Sequence, residues 1–285
     1  VKAIIFWRMV RGLLSTVGIF VLILANTLAF TSFRRRVKPF PVQMSTKVSH
    51  VCFDLDGTLC DSSMLGLSST NEAIASLKPP SRSPVTKEEY HQCTRYNTLD
   101  RFMVHLSGTI PPAPPPRGNV ELLRVATELT ATFEAKYTGL VSPTTAGLYP
   151  GVREGLDRMV SPSVSPSMSI LTNARQDYAL AVLKANGVSD LFQRTDGADT
   201  AGCSKPEPGG LLSIFDSCGC TPATALFVGD SISDGQAGVN AGCRTLGVSW
   251  GSGTGLEESG AFTEGVVDTV EAMFDKILAL TSERT

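Results

Sequence analysis

Four short apolar segments constrain the fold of this chain most strongly. They occupy residues 51–55, 168–172, 225–229 and 245–250. Stretches with helical periodicity alternate with them, at residues 151–160, 175–186, 208–218, 233–241 and 270–280. Because alternating strands and helices form parallel βαβ units, the sequence predicts an α/β fold, a doubly wound parallel sheet with a Rossmann-like core. Nearly continuous apolar strands suit a sheet that is covered on both faces.

Two carboxylates follow the first of these segments, in the run Asp54-Leu55-Asp56-Gly57-Thr58-Leu59. Residues i and i+2 of an extended chain point to the same side. Both acids therefore lean into the crevice at the carboxyl end of a strand, where open α/β sheets bind their ligands. One acid can attack a phosphorus or carbon centre while the other transfers a proton. The alternative is a strand end followed by an acidic turn.

Three further motifs follow in chain order. Thr172-Asn173 ends the apolar segment 169–171, and Lys205 lies in the run Ser-Lys-Pro-Glu-Pro at 204–208. Asp230 and Asp234 lie in Gly-Asp-Ser-Ile-Ser-Asp at 229–234, directly after the apolar segment 225–228. Three of the four motifs therefore end apolar segments, which predicts that their side chains meet at one edge of the sheet.

Over roughly residues 48 to 280, these motifs resemble those of the haloacid dehalogenase superfamily of phosphohydrolases. The resemblance implies that Asp54 is a nucleophile that forms an aspartyl phosphate, and that Asp56 is the general acid and then the general base. An acid at position 56 marks the phosphoryl-transfer branches of that family, and the dehalogenase and phosphonatase branches lack it. The resemblance therefore implies phosphate chemistry rather than carbon–halogen chemistry.

The resemblance also implies a cofactor and a phosphate site. Mg²⁺ would be bound by Asp54, by the backbone carbonyl of Asp56 and by Asp230, with Asp234 as a direct or water-mediated ligand. The transferring phosphoryl group would be bound by Thr172, Asn173 and Lys205. Helix capping is an alternative role for the two later acids, and a strand-end cap is an alternative role for Asn173.

Residues 63–146 carry a separate helical pattern between the first two motifs. Thr86 and Glu89 fit a capping box, and apolar residues recur at spacings of three and four from Leu122 to Leu140. Two or three amphipathic helices are predicted, resembling the α-helical cap domain inserted in many superfamily members. The core would then comprise residues 44–62 and 147–285. The proline-rich run 111–116 is interpreted as a stiff exposed linker, with docking of a proline-binding module as the alternative.

Basic residues of the cap are candidates for contact with the non-reacting end of a substrate. We interpret most of them as parts of solvated helix faces and assign a role to none. They are Arg82, His91, Arg95, Arg101 and His105. His50, within the first apolar strand, is interpreted as structural.

Charge is unevenly distributed along the chain. The first 53 residues hold eight bases and no acid, whereas the remainder holds 17 bases and 27 acids. This acidic balance argues against nucleic acid as a partner. The seven cysteines include no C-x-x-C pair, so reduced thiols and no zinc site are expected.

Residues 1–43 have the pattern of a targeting segment. Bases precede an uncharged run at 12–33, and the small residues Thr27 and Ala29 give a possible cleavage point after Ala29. The run Thr27-Leu28-Ala29-Phe30 is similar to the cleavage motif of bipartite plastid presequences, which predicts plastid import and a mature protein without stable membrane association. A translation start at Met44, giving a cytoplasmic protein, and a membrane anchor are the alternatives.

The resemblance favours a Mg²⁺-dependent phosphatase of a small phosphorylated metabolite. Tyr149-Pro150-Gly151-Val152, which opens a helix before the second motif, is similar to the phosphoglycolate phosphatase branch, so 2-phosphoglycolate is the expected substrate. A phosphosugar mutase similar to β-phosphoglucomutase is the second hypothesis, and a non-catalytic binding protein on the same fold is the third. The sequence leaves the oligomeric state open.

Overall fold

A six-stranded parallel sheet forms the centre of the computed structural model. The structure describes residues 47–77, 83–94, 96–109, 118–160, 166–251 and 253–282. The predicted targeting segment 1–43, the proline-rich run 111–116, Arg82 and Arg95 lie outside the described residues. None of the described helices is both long enough and apolar enough to cross a bilayer.

The strands confirm the predicted topology. The central sheet has the order β5-β4-β1-β6-β7-β8, with all neighbouring strands parallel, and β2 and β3 form a separate antiparallel pair. The strands are β1 (His50–Phe53), β2 (Cys60–Asp61), β3 (Gly147–Leu148), β4 (Ser167–Leu171), β5 (Arg194–Asp196), β6 (Ala225–Gly229), β7 (Arg244–Val248) and β8 (Val266–Val267).

Ten α-helices are present among the described residues. Those before β3 are α1 (Ser63–Ser76), α2 (Lys87–Cys93), α3 (Thr98–Ser107) and α4 (Val120–Tyr137). Those after it are α5 (Val152–Met159), α6 (Gln176–Ala185), α7 (Ala198–Ala201), α8 (Gly209–Ser217), α9 (Ile232–Ala241) and α10 (Val270–Thr281). The five helices predicted for the core match α5, α6, α8, α9 and α10 to within one residue at each end.

Helices cover both faces of the sheet, as the apolar strands predicted. Successive residues of β1 enter different apolar clusters: Val51 and Phe53 enter one, and Cys52 enters the other. Side chains of α5, α6 and α10 fill the first cluster, and side chains of α8 and α9 fill the second. This alternation with period two divides the core into two layers around one sheet.

Helices α1 to α4 form a lobe between β2 and β3, and we call this lobe the cap. The cap holds four helices rather than the two or three predicted, because α2 ends at Cys93 and Asn97 caps a new helix by accepting from Asp100 N at 3.0 Å. The predicted capping box is confirmed, since Thr86 and Glu89 bond each other's backbone amides at 3.2 and 2.8 Å. The antiparallel β2–β3 pair joins the two ends of the insertion, with Asp61 opposite Gly147.

Candidate active site

The carboxyl end of β1 places Asp54 at the centre of a buried polar cluster. Its backbone N–H donates to Val228 O at 2.8 Å, which extends the pairing of β1 with β6 by one residue. The side chain is 8% exposed. Asp54 therefore ends a rigid strand with its carboxylate beneath the surface, where opposite charges interact strongly.

Lys205 is the cation of this cluster. Its Nζ lies 2.6 Å from Asp54 Oδ1 and 2.7 Å from Asp234 Oδ1, and it donates to Leu171 O at 3.3 Å. Burial by itself would lower the pKa of Lys205, but the Asp234 and Asp54 carboxylates outweigh burial and raise the pKa above its ordinary value. The lysine is therefore a permanent positive charge beside Asp54.

Asn173 fixes the backbone that carries this lysine. Its Oδ1 accepts from Lys205 N at 2.8 Å, and its Nδ2 donates to Lys205 O at 3.3 Å. The strand-end cap proposed as its alternative role falls to Thr172, whose Oγ1 accepts from Ala174 N at 3.0 Å. Asn173 thus acts on the site by positioning Lys205.

Asp230 and Asp234 follow β6 and complete an acidic cluster with Asp54. One oxygen of each carboxylate lies within 4.8 Å of the other two. Burial, together with Asp234 and Asp230, raises the pKa of Asp54 well above its usual range, while Lys205 opposes this shift. The three acids lie close enough to repel one another, and Lys205 contacts two of them, Asp54 and Asp234.

Two glycines make room for Asp230. A Cβ on Gly57, whose φ is +82°, or on Gly251 would collide with the Asp230 carboxylate. A side chain at either position would displace this acid from the cluster. Gly57 is therefore required both for its left-handed turn and for the space beside it.

Asp234 is already well bonded. Its Oδ2 accepts from Ser231 N at 2.9 Å and from Ser231 Oγ at 2.6 Å, in a capping box that opens α9. The capping role considered from the sequence therefore applies to Asp234. Asp54 and Asp230 are the other two acids whose oxygens could hold a metal ion here.

The donor set fits the magnesium ion expected from the sequence. Three buried carboxylates supply hard oxygen atoms, which Mg²⁺ prefers, and they offer no nitrogen or sulfur ligand. A divalent cation would also offset the repulsion among the three acids. Among the described residues, this is the one group of three or more His, Cys, Asp or Glu side chains placed to hold a metal ion.

Asp56 faces a different set of partners. Its Oδ1 accepts from Ser62 Oγ at 2.5 Å and from Tyr178 OH at 2.6 Å, and Thr172 Oγ1 lies 3.5 Å from its Oδ2. Sequence reasoning missed Ser62 and Tyr178. A hydroxyl six residues after an acid, and a tyrosine in a helix, give no signal until the fold brings them together.

A cavity of about 260 Å³ separates this cluster from the cap. We call its core side the floor, with Asp54, Asp56, Thr172, Asn173 and Lys205, and its cap side the roof, with Tyr90, His91, Arg101, Phe133 and Tyr137. All five predicted catalytic and phosphate-binding residues thus line one space, and Asp230 and Asp234 lie behind them.

Aromatic rings connect the roof to the floor. Phe133 stacks on Tyr137, and Tyr137 stacks on Tyr178 of the core, each pair with ring centroids 4.4 Å apart. Tyr178 then reaches Asp56 through its hydroxyl. The cap therefore contacts, through Tyr137, the tyrosine that donates a hydrogen bond to Asp56.

The solvated-face interpretation of the basic cap residues is wrong at two positions. Arg101 is 8% exposed and His105 is 3% exposed, whereas His91 is partly exposed at the cavity. Arg101 and His105 belong to α3, which packs against α4. Because arginine and histidine are polar, the sequence pattern did not predict that these two side chains are buried. His50 is fully buried as well, and its ring nitrogens contact Ser167 Oγ at 2.6 Å and Ser169 Oγ at 2.8 Å.

A doubly wound parallel sheet, an acid–lysine cluster at its carboxyl edge and a helical cap inserted between β2 and β3 define a capped, Rossmann-like hydrolase. The chain belongs to the haloacid dehalogenase-like hydrolase family, whose model matches residues 51–248. This match confirms the resemblance drawn from the four motifs.

Curated relatives include many phosphoglycolate phosphatases. That of Vibrio vulnificus is 27% identical over 232 residues, covering 81% of this chain and 97% of the relative. That of Pseudomonas putida is 32% identical over 126 residues, covering 44% of this chain and 46% of the relative. The match with the second relative therefore spans less than half of its length.

Solved structures share the fold. A haloacid dehalogenase-like family hydrolase from Streptococcus pneumoniae superposes with a TM-score of 0.62 at 18% identity, covering 80% of this chain and 98% of the other. CbbY from Rhodobacter sphaeroides, solved in complex with phosphate, superposes with a TM-score of 0.60 at 19% identity, covering 78% and 94%. Both confirm the predicted fold class.

Proposed function

We propose that this protein is a Mg²⁺-dependent phosphatase that hydrolyses a small phosphorylated metabolite, with 2-phosphoglycolate as the best candidate, through an aspartyl phosphate on Asp54. One observation carries the proposal. The Asp54 carboxylate lies at the floor of the cavity beneath the cap, paired with Lys205 at 2.6 Å and next to two further buried acids.

In the first step, a carboxylate oxygen of Asp54 attacks the phosphorus and the bond to the alcohol oxygen breaks. Asp56 donates a proton to the leaving alkoxide. In the second step, Asp56 takes a proton from water, the water oxygen attacks the phosphorus, and the bond to Asp54 breaks. Phosphate leaves, and both aspartates return to their starting states.

The neighbouring residues make this attack feasible. A phosphate dianion and a carboxylate repel each other, and Lys205 offsets that repulsion from 2.6 Å away. Asp54, Asp230 and, through its remaining lone pairs or a water, Asp234 would hold Mg²⁺, which when bound neutralises charge on the phosphoryl oxygens. Thr172 would donate a hydrogen bond to a phosphoryl oxygen.

The substrate assignment rests on the cavity and on the relatives. A volume of about 260 Å³ lies below the roughly 300–1,000 Å³ of typical small-molecule sites, which favours a compact metabolite over a nucleotide. The curated relatives are phosphoglycolate phosphatases. The cavity supports a compact substrate, and the relatives support 2-phosphoglycolate among such substrates.

The test is phosphate release from 2-phosphoglycolate by the 285-residue chain, with Mg²⁺ and again with EDTA. A panel of sugar and nucleoside monophosphates is assayed in parallel. We expect Mg²⁺-dependent release with a preference for 2-phosphoglycolate. Rapid quenching followed by mass spectrometry of peptides should detect a phosphoryl group on the peptide that contains Asp54.

Asp54→Asn is the critical variant, and Asp190→Asn is its matched control, since Asp190 is an exposed acid outside the cavity. Activity should disappear in the first variant and persist in the second. Retained activity in Asp54→Asn would refute the aspartyl-phosphate scheme. A rearranged sugar phosphate without free phosphate would instead support the mutase hypothesis, and an inactive wild-type chain would support a binding protein.

A further inference from the structure

Arg101 is a buried cation on the roof of the cavity. It lies in α3 and is 8% exposed. Its guanidinium carbon lies 5.2 Å from the centroid of the Tyr90 ring and 5.0 Å from the centroid of the Phe133 ring. All three side chains line the cavity that the acid–lysine cluster closes from below.

Within the part of the chain that the structure describes, this guanidinium has no hydrogen-bond or ion-pair partner, and its Nε is fully buried without an acceptor. Glu134 is the carboxylate of the roof, and it pairs with Arg175 at 3.5 Å instead. Arginine stays protonated in proteins. Among the described residues, the cavity therefore contains a permanent positive charge that no carboxylate pairs with directly.

The two rings explain how the charge is tolerated without a partner, and they also limit what it can bind. Cation–π contacts stabilise a guanidinium over the ring faces, but they leave its N–H donors without strong acceptors. A ligand inside the cavity is the remaining source of such acceptors. On the floor, Lys205 is already paired with Asp54 and Asp234. Lys205 and Arg101 therefore differ in how far their charges are already satisfied by the protein.

We propose that Arg101 binds a carboxylate on the alcohol part of the substrate, so that the substrate class is a small phosphomonoester of a hydroxy acid. The inference rests on the proposed function, since it assumes that the phosphate occupies the floor. A guanidinium matches a carboxylate with two parallel hydrogen bonds. One positive charge balances one carboxylate, whereas a second phosphate would bring a charge of about −1.5 to −2.

The kinetic test compares 2-phosphoglycolate with ethyl phosphate, which lacks the carboxylate. In Arg101→Gln, kcat/KM for 2-phosphoglycolate should fall by at least about 30-fold, while kcat/KM for ethyl phosphate should change less than about threefold. Arg124→Gln is the matched control, because Arg124 is an exposed cap arginine paired with Glu121. It should leave the ratio between the two substrates unchanged.

A binding test separates this inference from the catalytic proposal. Isothermal titration calorimetry of the 285-residue Asp54→Asn protein, with and without Arg101→Gln, measures affinity for the same two compounds without turnover. Tighter binding of 2-phosphoglycolate that disappears in the double variant supports the inference even if the reaction scheme is wrong. Circular dichroism checks that both proteins are folded.

Three results would overturn the inference. They are equal affinity of the Asp54→Asn protein for both compounds, an equal fall in kcat/KM for both substrates in Arg101→Gln, and a tighter, Arg101-dependent binding of ethane-1,2-diyl bisphosphate, which carries a second phosphate instead of the carboxylate. If wild-type protein hydrolyses neither compound but binds 2-phosphoglycolate through Arg101, the proposed function fails and the carboxylate site stands.

Discussion

The floor and the roof of the cavity differ in how their charges are satisfied. On the floor, Lys205 pairs with two acids, and Asp56 accepts from two hydroxyls within 2.6 Å. On the roof, aromatic rings predominate, and Arg101 has no counter-ion among the described residues. A preorganised polar floor suits chemistry common to many substrates, whereas an unsatisfied roof suits recognition of one of them.

The largest effect should come from the floor. Asp54→Asn removes the proposed nucleophile, so kcat should fall at least about 10⁴-fold. Because the chemistry of the floor is shared, the fall should be similar for 2-phosphoglycolate, ethyl phosphate and every other substrate. The distinction between floor and roof would be contradicted if steady-state phosphate release showed a fall in kcat that differs from one substrate to another.

Lys205→Met should reduce both activity and stability. Removing this cation leaves Asp54 and Asp234 buried without their partner, so the free energy of unfolding should fall by about 3–5 kcal/mol, and kcat by about 10³-fold. Urea denaturation measures the first quantity. Lys276→Met, at a lysine 40% exposed, is the control, and a similar loss there would show that the effect is not specific to the cluster.

Tyr178→Phe should have a smaller effect on catalysis. The variant keeps the stacked ring and removes one of the two short hydrogen bonds to Asp56, so kcat should fall about tenfold while KM changes little. Tyr149→Phe deletes a hydroxyl elsewhere in the cavity and should leave kcat within about twofold. A change in KM alone would indicate that Tyr178 acts in substrate recognition, like the roof, rather than in catalysis, like the floor.

His50→Gln tests a buried group that belongs to neither the floor nor the roof of the cavity. Burial lowers the pKa of His50 to about 4 from an ordinary 6.5, so the folded chain holds this ring neutral. As pH falls below 6.5, the unfolded chain takes up the proton first, and the fold should lose up to about 3 kcal/mol by pH 4.

The measurement for His50 is unfolding by urea at several pH values. His50→Gln should flatten the loss of stability between pH 6.5 and 4, and kcat at neutral pH should stay near the wild-type value. His91→Gln removes a partly exposed histidine and should retain most of the slope. Identical slopes in wild type and His50→Gln would contradict the assignment.

The sequence predicted the centre of the sheet well and its edges poorly. β1, β4, β6 and β7 each overlap one of the four apolar segments of the sequence, and such segments are typical of strands covered on both faces. β5 is Arg194–Asp196 and β8 is Val266–Val267. Runs of two or three residues, in the first case mostly polar, carry no periodicity that could be recognised. They form because neighbouring strands supply the hydrogen bonds.

The candidate site likewise has residues that the sequence predicted and residues that it did not. Asp54, Thr172 and Asp230 directly follow strands, so the topology alone brings them together. Tyr178 and Arg101 depend on how helices pack, and no local pattern encodes that packing. The solvated-face interpretation, made for most of the basic cap residues, does not hold for Arg101. Arginine is seldom buried, so the burial of one without a direct ion-pair partner among the described residues is informative.

The two-residue pairing of β2 with β3 has a consequence for how this protein folds and diversifies. Because Asp61 lies opposite Gly147, the chain leaves the core and returns to it at neighbouring points. The loop-closure entropy of the core then depends only weakly on how long the insertion is. Roof sequences of different lengths are therefore compatible with one unchanged floor, and exchange of the cap is a route to new substrates that leaves the catalytic chemistry intact.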